Sequence, residues 1–225
     1  MKKFIWSLLL VILAGSAYYG YQYHWPSQEV VEFNPGQEPV VYLEGRQLDE
    51  DALFLLEGDQ LLIAVSLVES MTSAHIFWDQ PEETLVVTTG DHVYRFQPLR
   101  TFYMINGRAV DLEVPMQVVN NHPFVPLSFL ESFLNVDWIF RQTDQVLVLD
   151  EKRTCRLVAE ALTEKAVIRE APHIKASLYT ETPFPGDQLL VYETYAHWLK
   201  IRTANGLIGF IQKKDVKRYE ECRPE

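Results

Sequence analysis

The sequence predicts a duplicated α+β domain, then a small all-β barrel, behind a hydrophobic N-terminal helix. Three observations predict this. Residues 45–88 repeat at an offset of 62, residues 154–219 carry short apolar runs between turn residues, and residues 4–17 are an uncharged apolar run behind Lys2-Lys3. The 225 residues, 48% hydrophobic and 23% charged, have ordinary globular composition, which excludes wholesale disorder.

The N-terminus comes first. Basic residues before an apolar run orient a segment with its start in the cytoplasm. The run of 14 residues suits a signal-peptide core, and Gly15-Ser16-Ala17 offers small residues for cleavage. Counting through Tyr23 gives 20 uncharged residues, enough to span ~30 Å. Tyr18, Tyr19, Tyr21, Tyr23 and Trp25 then form an interfacial aromatic belt. Residues 1–23 are therefore a signal anchor or a cleaved signal peptide. Both readings place the rest on the extracytoplasmic side of a membrane, single-pass or secreted. Residues 24–39, with Pro26, Pro35, Gly36 and Pro39, read as an extended linker.

Charge follows the same divisions. The net −11 divides into +2 over residues 1–28, −16 over 29–151 (five Arg, no Lys, 21 acids) and +3 over 152–225 (13 basic, 10 acidic). So acidic a middle is a poor partner for nucleic acid, whose binding depends on neutralising phosphates.

The middle, residues 40–151, is one unit written twice, as 40–89 and 102–150. The offset gives nine identities in 44 positions, among them Gly45/Gly107, Arg46/Arg108, Asp49/Asp111 and Leu85/Leu147. Unrelated segments of average composition give about three. Each copy predicts a short strand (40–43; 102–105), a Gly-Arg turn and an apolar strand (61–65; 124–127). A short helix and a closing hairpin follow (75–78 with 84–88; 137–141 with 146–149). Ser66 with Glu69, and Ser128 with Glu131, have the Ser-x-x-Glu spacing of a helix-capping box. His75, His92 and His122 are too scattered for a metal site that needs three or four converging ligands, so no cofactor is expected.

Phe124-Val125-Pro126-Leu127-Ser128-Phe129-Leu130-Glu131, followed by Val136-Asp137-Trp138, resembles the stalk-like domain at the N-terminus of some copper amine oxidases. Copy one departs from this pattern, with Ala64-Val65 for Pro-Leu and His75 for the Asp. The resemblance implies a fold and not copper, which belongs to the catalytic domain of those enzymes.

Residues 152–220 predict short strands at 166–169, 189–194, 198–202 and 206–211 and a turn at 215–216, the make-up of a small barrel. Val167-Ile168-Arg169, Trp198-Leu199-Lys200-Ile201 and Asn205-Gly206-Leu207-Ile208-Gly209-Phe210-Ile211 resemble elements of the bacterial SH3 domain. That resemblance implies a groove for cell-wall peptide or glycan, with Tyr179, Tyr195 and Trp198 as candidate contacts. A core-filling role suits Trp198 as well. Cys155 and Cys222 stand at the two ends of this segment, before the 221–225 tail, and an oxidising compartment would join them as a disulfide.

No Ser-His-Asp context, phosphate loop or Gly-x-Ser-x-Gly occurs. The order of parts resembles the non-catalytic front half of family 18 glycoside hydrolases. The expectation is a non-catalytic, membrane-anchored module that binds or spans the peptidoglycan wall. The alternatives are the targeting half of such a hydrolase, or a structural spacer that docks a partner protein.

Overall fold

A computed structural model describes residues 12–16, 18, 20, 25–34, 38–49 and 53–222. The chain divides into two compact units. One is residues 36–153, and the other is residues 154–225 with the N-terminal segment through 35.

In the first unit, every element of copy one recurs 62 residues later. The opening hairpin is β2 (Val40–Leu43) with β3 (Arg46–Gln47), and its counterpart is β9 (Phe102–Ile105) with β10 (Arg108–Asp111). The middle hairpin is β4 (Phe54–Glu57) with β5 (Gln60–Ala64), matched by β11 (Gln117–Val119) with β12 (His122–Pro126). Helices α1 (Val65–Met71) and α2 (Leu127–Leu134) follow. The closing hairpins are β6 (His75–Asp79) with β7 (Thr84–Thr88), and β13 (Val136–Arg141) with β14 (Val146–Glu151).

The two copies interlock. β5 and β12 pair antiparallel at the centre of one sheet, in the order β11-β12-β5-β4. The closing hairpin of copy two pairs through β14, in parallel, with β2 of copy one. The reciprocal junction contains an extra strand, β8 (Val93–Phe96), antiparallel to both β7 and β9. β7 and β9 are therefore parallel to each other, as β14 and β2 are.

Ile63, Leu67, Leu85, Phe96, Val125, Leu130, Leu147 and Leu149 share one buried cluster. Leu62, Ala64 and Phe124 form another. Alternate residues along β5 thus enter different clusters, as side chains pointing to opposite faces of a strand must.

The second unit is built on β15 (Cys155–Ala161), β17 (Gln188–Thr194), β18 (Trp198–Arg202), β19 (Ile208–Gln212) and β20 (Val216–Cys222). Their order in the sheet is β19-β18-β17-β15-β20. A one-turn 3₁₀ segment, Lys213–Asp215, precedes β20. The register between β17 and β18 shifts between Val191 and Glu193. Such bulges bend and twist a strand.

The N-terminal segment is part of this unit. β1 (Val30–Val31) pairs in parallel with β16 (Leu178–Tyr179), and the Leu178 and Thr180 amides donate to the carbonyls of Glu29 and Val31 at 2.7 and 3.1 Å. Phe33 is buried and meets Tyr179 edge to face, with centroids 5.4 Å apart. Arg169, only 4% exposed, donates from Nη1 to the carbonyls of Ser27 (3.2 Å) and Ala176 (2.6 Å). Residues 27–34, which the sequence reading places in an extended linker over residues 24–39, pack on the C-terminal unit as a strap.

Three sequence expectations are corrected. The class is mostly β, with strands at 47% and helices that are short, and not α+β. α1 and α2 have seven and eight residues and serve as connectors between strands. The hydrophobic N-terminal helix does not hold as a class-defining element. Most of residues 1–23 lie outside the described residues, and no described helix is long and apolar enough to cross a membrane.

The third correction concerns helix capping. α1 and α2 start at Val65 and Leu127, so Ala64 and Pro126 occupy the cap positions and neither helix has a side-chain cap bond. Strands β5 and β12 run into the helices without a loop. Ser66 and Ser128 therefore fall at the second helical position, beyond the residue that precedes a helix and caps it.

Candidate binding site

The C-terminal unit carries the candidate contacts, and the strand pattern distributes them differently from the sequence expectation. Trp198 begins β18 facing inward and is 7% exposed, so it packs the core. Tyr179 lies on β16, half-buried against Phe33 of the strap. Tyr195 stands in the β17–β18 turn and is 37% exposed. Of the three, Tyr195 is the most exposed.

Tyr195 is held from two sides. Its ring meets Phe210 of β19 edge to face at 5.6 Å, and its hydroxyl donates to Glu193 Oε2 at 2.8 Å. Lys200 Nζ approaches the other Glu193 oxygen at 3.4 Å. The Tyr195 hydrogen bond, more than Lys200, lowers the Glu193 carboxyl below its ordinary pKa. The same bond raises the Tyr195 phenol. The result is a fixed aromatic face with an ion pair beneath it.

A second concavity is not among the sites that the sequence points to. A cavity of about 540 Å³ opens between the 180–188 loop and the β18–β19 turn. Ile168 and Leu189, almost fully buried, form its base, while Phe184 beside it is 72% exposed. Asn205 Nδ2 donates to Glu181 and its Oδ1 accepts from the Thr203 hydroxyl, which ties the loop to the turn. The Phe184 amide donates to Asp187 Oδ2 at 2.8 Å, and the Asp187 amide returns to the Phe184 carbonyl at 3.0 Å. The one sequence signal is the run Pro183-Phe184-Pro185-Gly186, an aromatic flanked by turn residues.

Cys155 and Cys222 are direct partners across β15 and β20 and are joined by a disulfide closing 67 residues. Glu220 lies beside them, but sulfurs committed to a disulfide are not thiolate ligands.

Glu131 has a different role from the expected cap. It accepts a hydrogen bond from Trp138 Nε1, which ties α2 to β13. Copy one has Ile76 at the position equivalent to Trp138, so Glu69 has no matching indole.

This helix-to-strand link sits within the part of the chain that matches a known domain. Residues 42–149 match the family model of the copper amine oxidase N-terminal domain. That domain is non-catalytic in the oxidases. No curated protein matches the chain.

Within residues 42–149, no three His, Cys, Asp or Glu side chains lie close enough together to share an ion, among the described residues. His75, His92 and His122 are all exposed. The donor set there does not fit a copper centre, which needs three or four converging ligands.

Proposed function

We propose that the protein is a non-catalytic cell-surface module whose C-terminal unit, an SH3-like domain, binds peptidoglycan peptide or glycan. The observation that carries this reading is Tyr195: an exposed ring fixed by Phe210 and Glu193. Rigid, half-exposed tyrosines supply contact area at little entropic cost. The β19-β18-β17-β15-β20 order with a 3₁₀ turn before the last strand supports the SH3-like assignment. The positive balance of residues 152–225 suits an anionic wall.

The apolar run at residues 4–17 holds the chain at the extracytoplasmic face of the membrane.

Co-sedimentation of the full chain with purified cell wall tests the reading. Retention that falls about fivefold on Tyr195→Ala is expected, since one exposed aromatic contact contributes about 1 kcal/mol. Equal retention of the variant removes Tyr195 from the site. No retention of either protein favours a spacer or partner-docking role.

A further inference from the structure

We infer that the cavity between the 180–188 loop and the β18–β19 turn binds a peptide segment presenting a lysine-type side chain. The inference rests on the binding-module reading and names a ligand chemistry for it, on residues separate from Tyr195.

The chemistry follows from the lining. Glu181 and Asp187 contribute two carboxylates, and no Lys or Arg lines the cavity among the described residues. This acidic spot lies in a segment whose balance is positive, so it selects a cation locally where the surroundings do not. Ile168 and Leu189 at the base, with Pro183 on the wall, form an apolar surface suited to a run of methylenes. Phe184 offers a ring face at the mouth, and cations are attracted to such faces. A four-carbon stem ending in a compact ammonium satisfies all three features.

The site is organised before any ligand arrives. The Asn205–Glu181 link joins the two sides, and the double hydrogen bond between Phe184 and Asp187 fixes the aromatic at a turn. Preorganisation of this kind lowers the ordering cost of binding. It also explains why a phenylalanine is 72% exposed on a stiff turn and is not tucked into the core.

The test uses the full chain in detergent micelles and the tripeptide N-acetyl-Ala-Lys-Ala-amide. Titration calorimetry compares it with the same peptide carrying norleucine or glutamate in place of lysine. Saturable binding of the lysine peptide is expected, weakened about tenfold or more by norleucine, which keeps the stem and loses the charge. Glu181→Gln, Asp187→Asn and Phe184→Ala each weaken it about three- to fivefold. Failure of the lysine peptide to bind overturns the inference, as does equal binding of norleucine. If the peptide fails while wall still retains the chain through Tyr195, the cavity assignment alone falls. If the peptide binds and wall does not, the wall reading alone falls.

Discussion

Ile63 lies directly opposite Val125 across the β5–β12 pair, and the two are the same position of the two copies. Their flanking pairs, Leu62 with Pro126 and Ala64 with Phe124, exchange under the same operation. A pseudo-twofold axis therefore passes between Ile63 and Val125. The duplication is not two beads on a string, because each copy completes the other's sheet.

This arrangement makes the axis a sensitive point. Ile63 is fully buried, so Ile63→Ala removes packed methylenes and leaves a cavity, at a cost of about 2–5 kcal/mol. Val125→Ala costs less, and the two effects combine non-additively because the side chains are neighbours. Denaturant midpoints of the single and double variants check this. His75→Ala, on an exposed edge-strand position, stays within about 0.5 kcal/mol of the parent.

The Cys155–Cys222 bond joins the first and last strands of the C-terminal sheet. Closing 67 residues constrains the unfolded chain by about 4.4 kcal/mol in the loop-entropy relation. Cys155→Ser with Cys222→Ser should lower the unfolding midpoint of that unit and leave residues 36–153 unaffected. Amide exchange followed separately in the two units distinguishes the effects. An unchanged midpoint contradicts the role of the bond as a clasp.

Arg169 fastens the strap. Its guanidinium is buried against backbone carbonyls of Ser27 and Ala176, and that burial lowers its pKa from the ordinary value. Arg169→Leu removes charge-assisted hydrogen bonds worth about 1.5–3 kcal/mol. Exchange of the Leu178 and Thr180 amides, which donate to the strap, should quicken by about tenfold or more. Unchanged exchange would show that Phe33 alone suffices to hold residues 27–34.

Much of the first unit is legible in the sequence because its physical signals are local. Runs such as Leu61-Leu62-Ile63 mark buried strands, and the 62-residue offset aligns them. The cap positions are not legible, because Ala64 and Pro126 carry each strand straight into its helix and Ser-x-x-Glu spacing does not fix where a helix starts. β20 escapes a search for apolar runs because an edge strand need not be apolar: Lys217, Arg218, Glu220 and Glu221 all face water there. The strap gives no local signal at all, since it depends on pairing Val30 with Leu178, nearly 150 residues away. The candidate site is half legible. Tyr195 announces itself in a turn and the core-filling reading of Trp198 agrees with its burial, whereas Tyr179 takes its place from packing against the distant Phe33.

The Tyr195–Glu193 bond sets a pH dependence with two limits. The Glu193 pKa is lowered, so its contribution is full above the ordinary carboxylate value and is lost as pH falls through the lowered one. The Tyr195 pKa is raised, so its contribution is full below pH 10 and is lost as pH rises beyond that. Glu193→Gln should bring the Tyr195 titration down towards the ordinary tyrosine value, as followed by ultraviolet difference spectroscopy. Because both groups are largely exposed, the effect on global stability is small.

Wall binding is tested most directly by a saturation isotherm of the full chain on purified peptidoglycan sacculi, read as bound against free protein. A saturable curve that weakens with added salt and with Tyr195→Ala is the predicted result. Protein that stays wholly in the supernatant at every concentration contradicts the assignment of this chain as a wall-binding module.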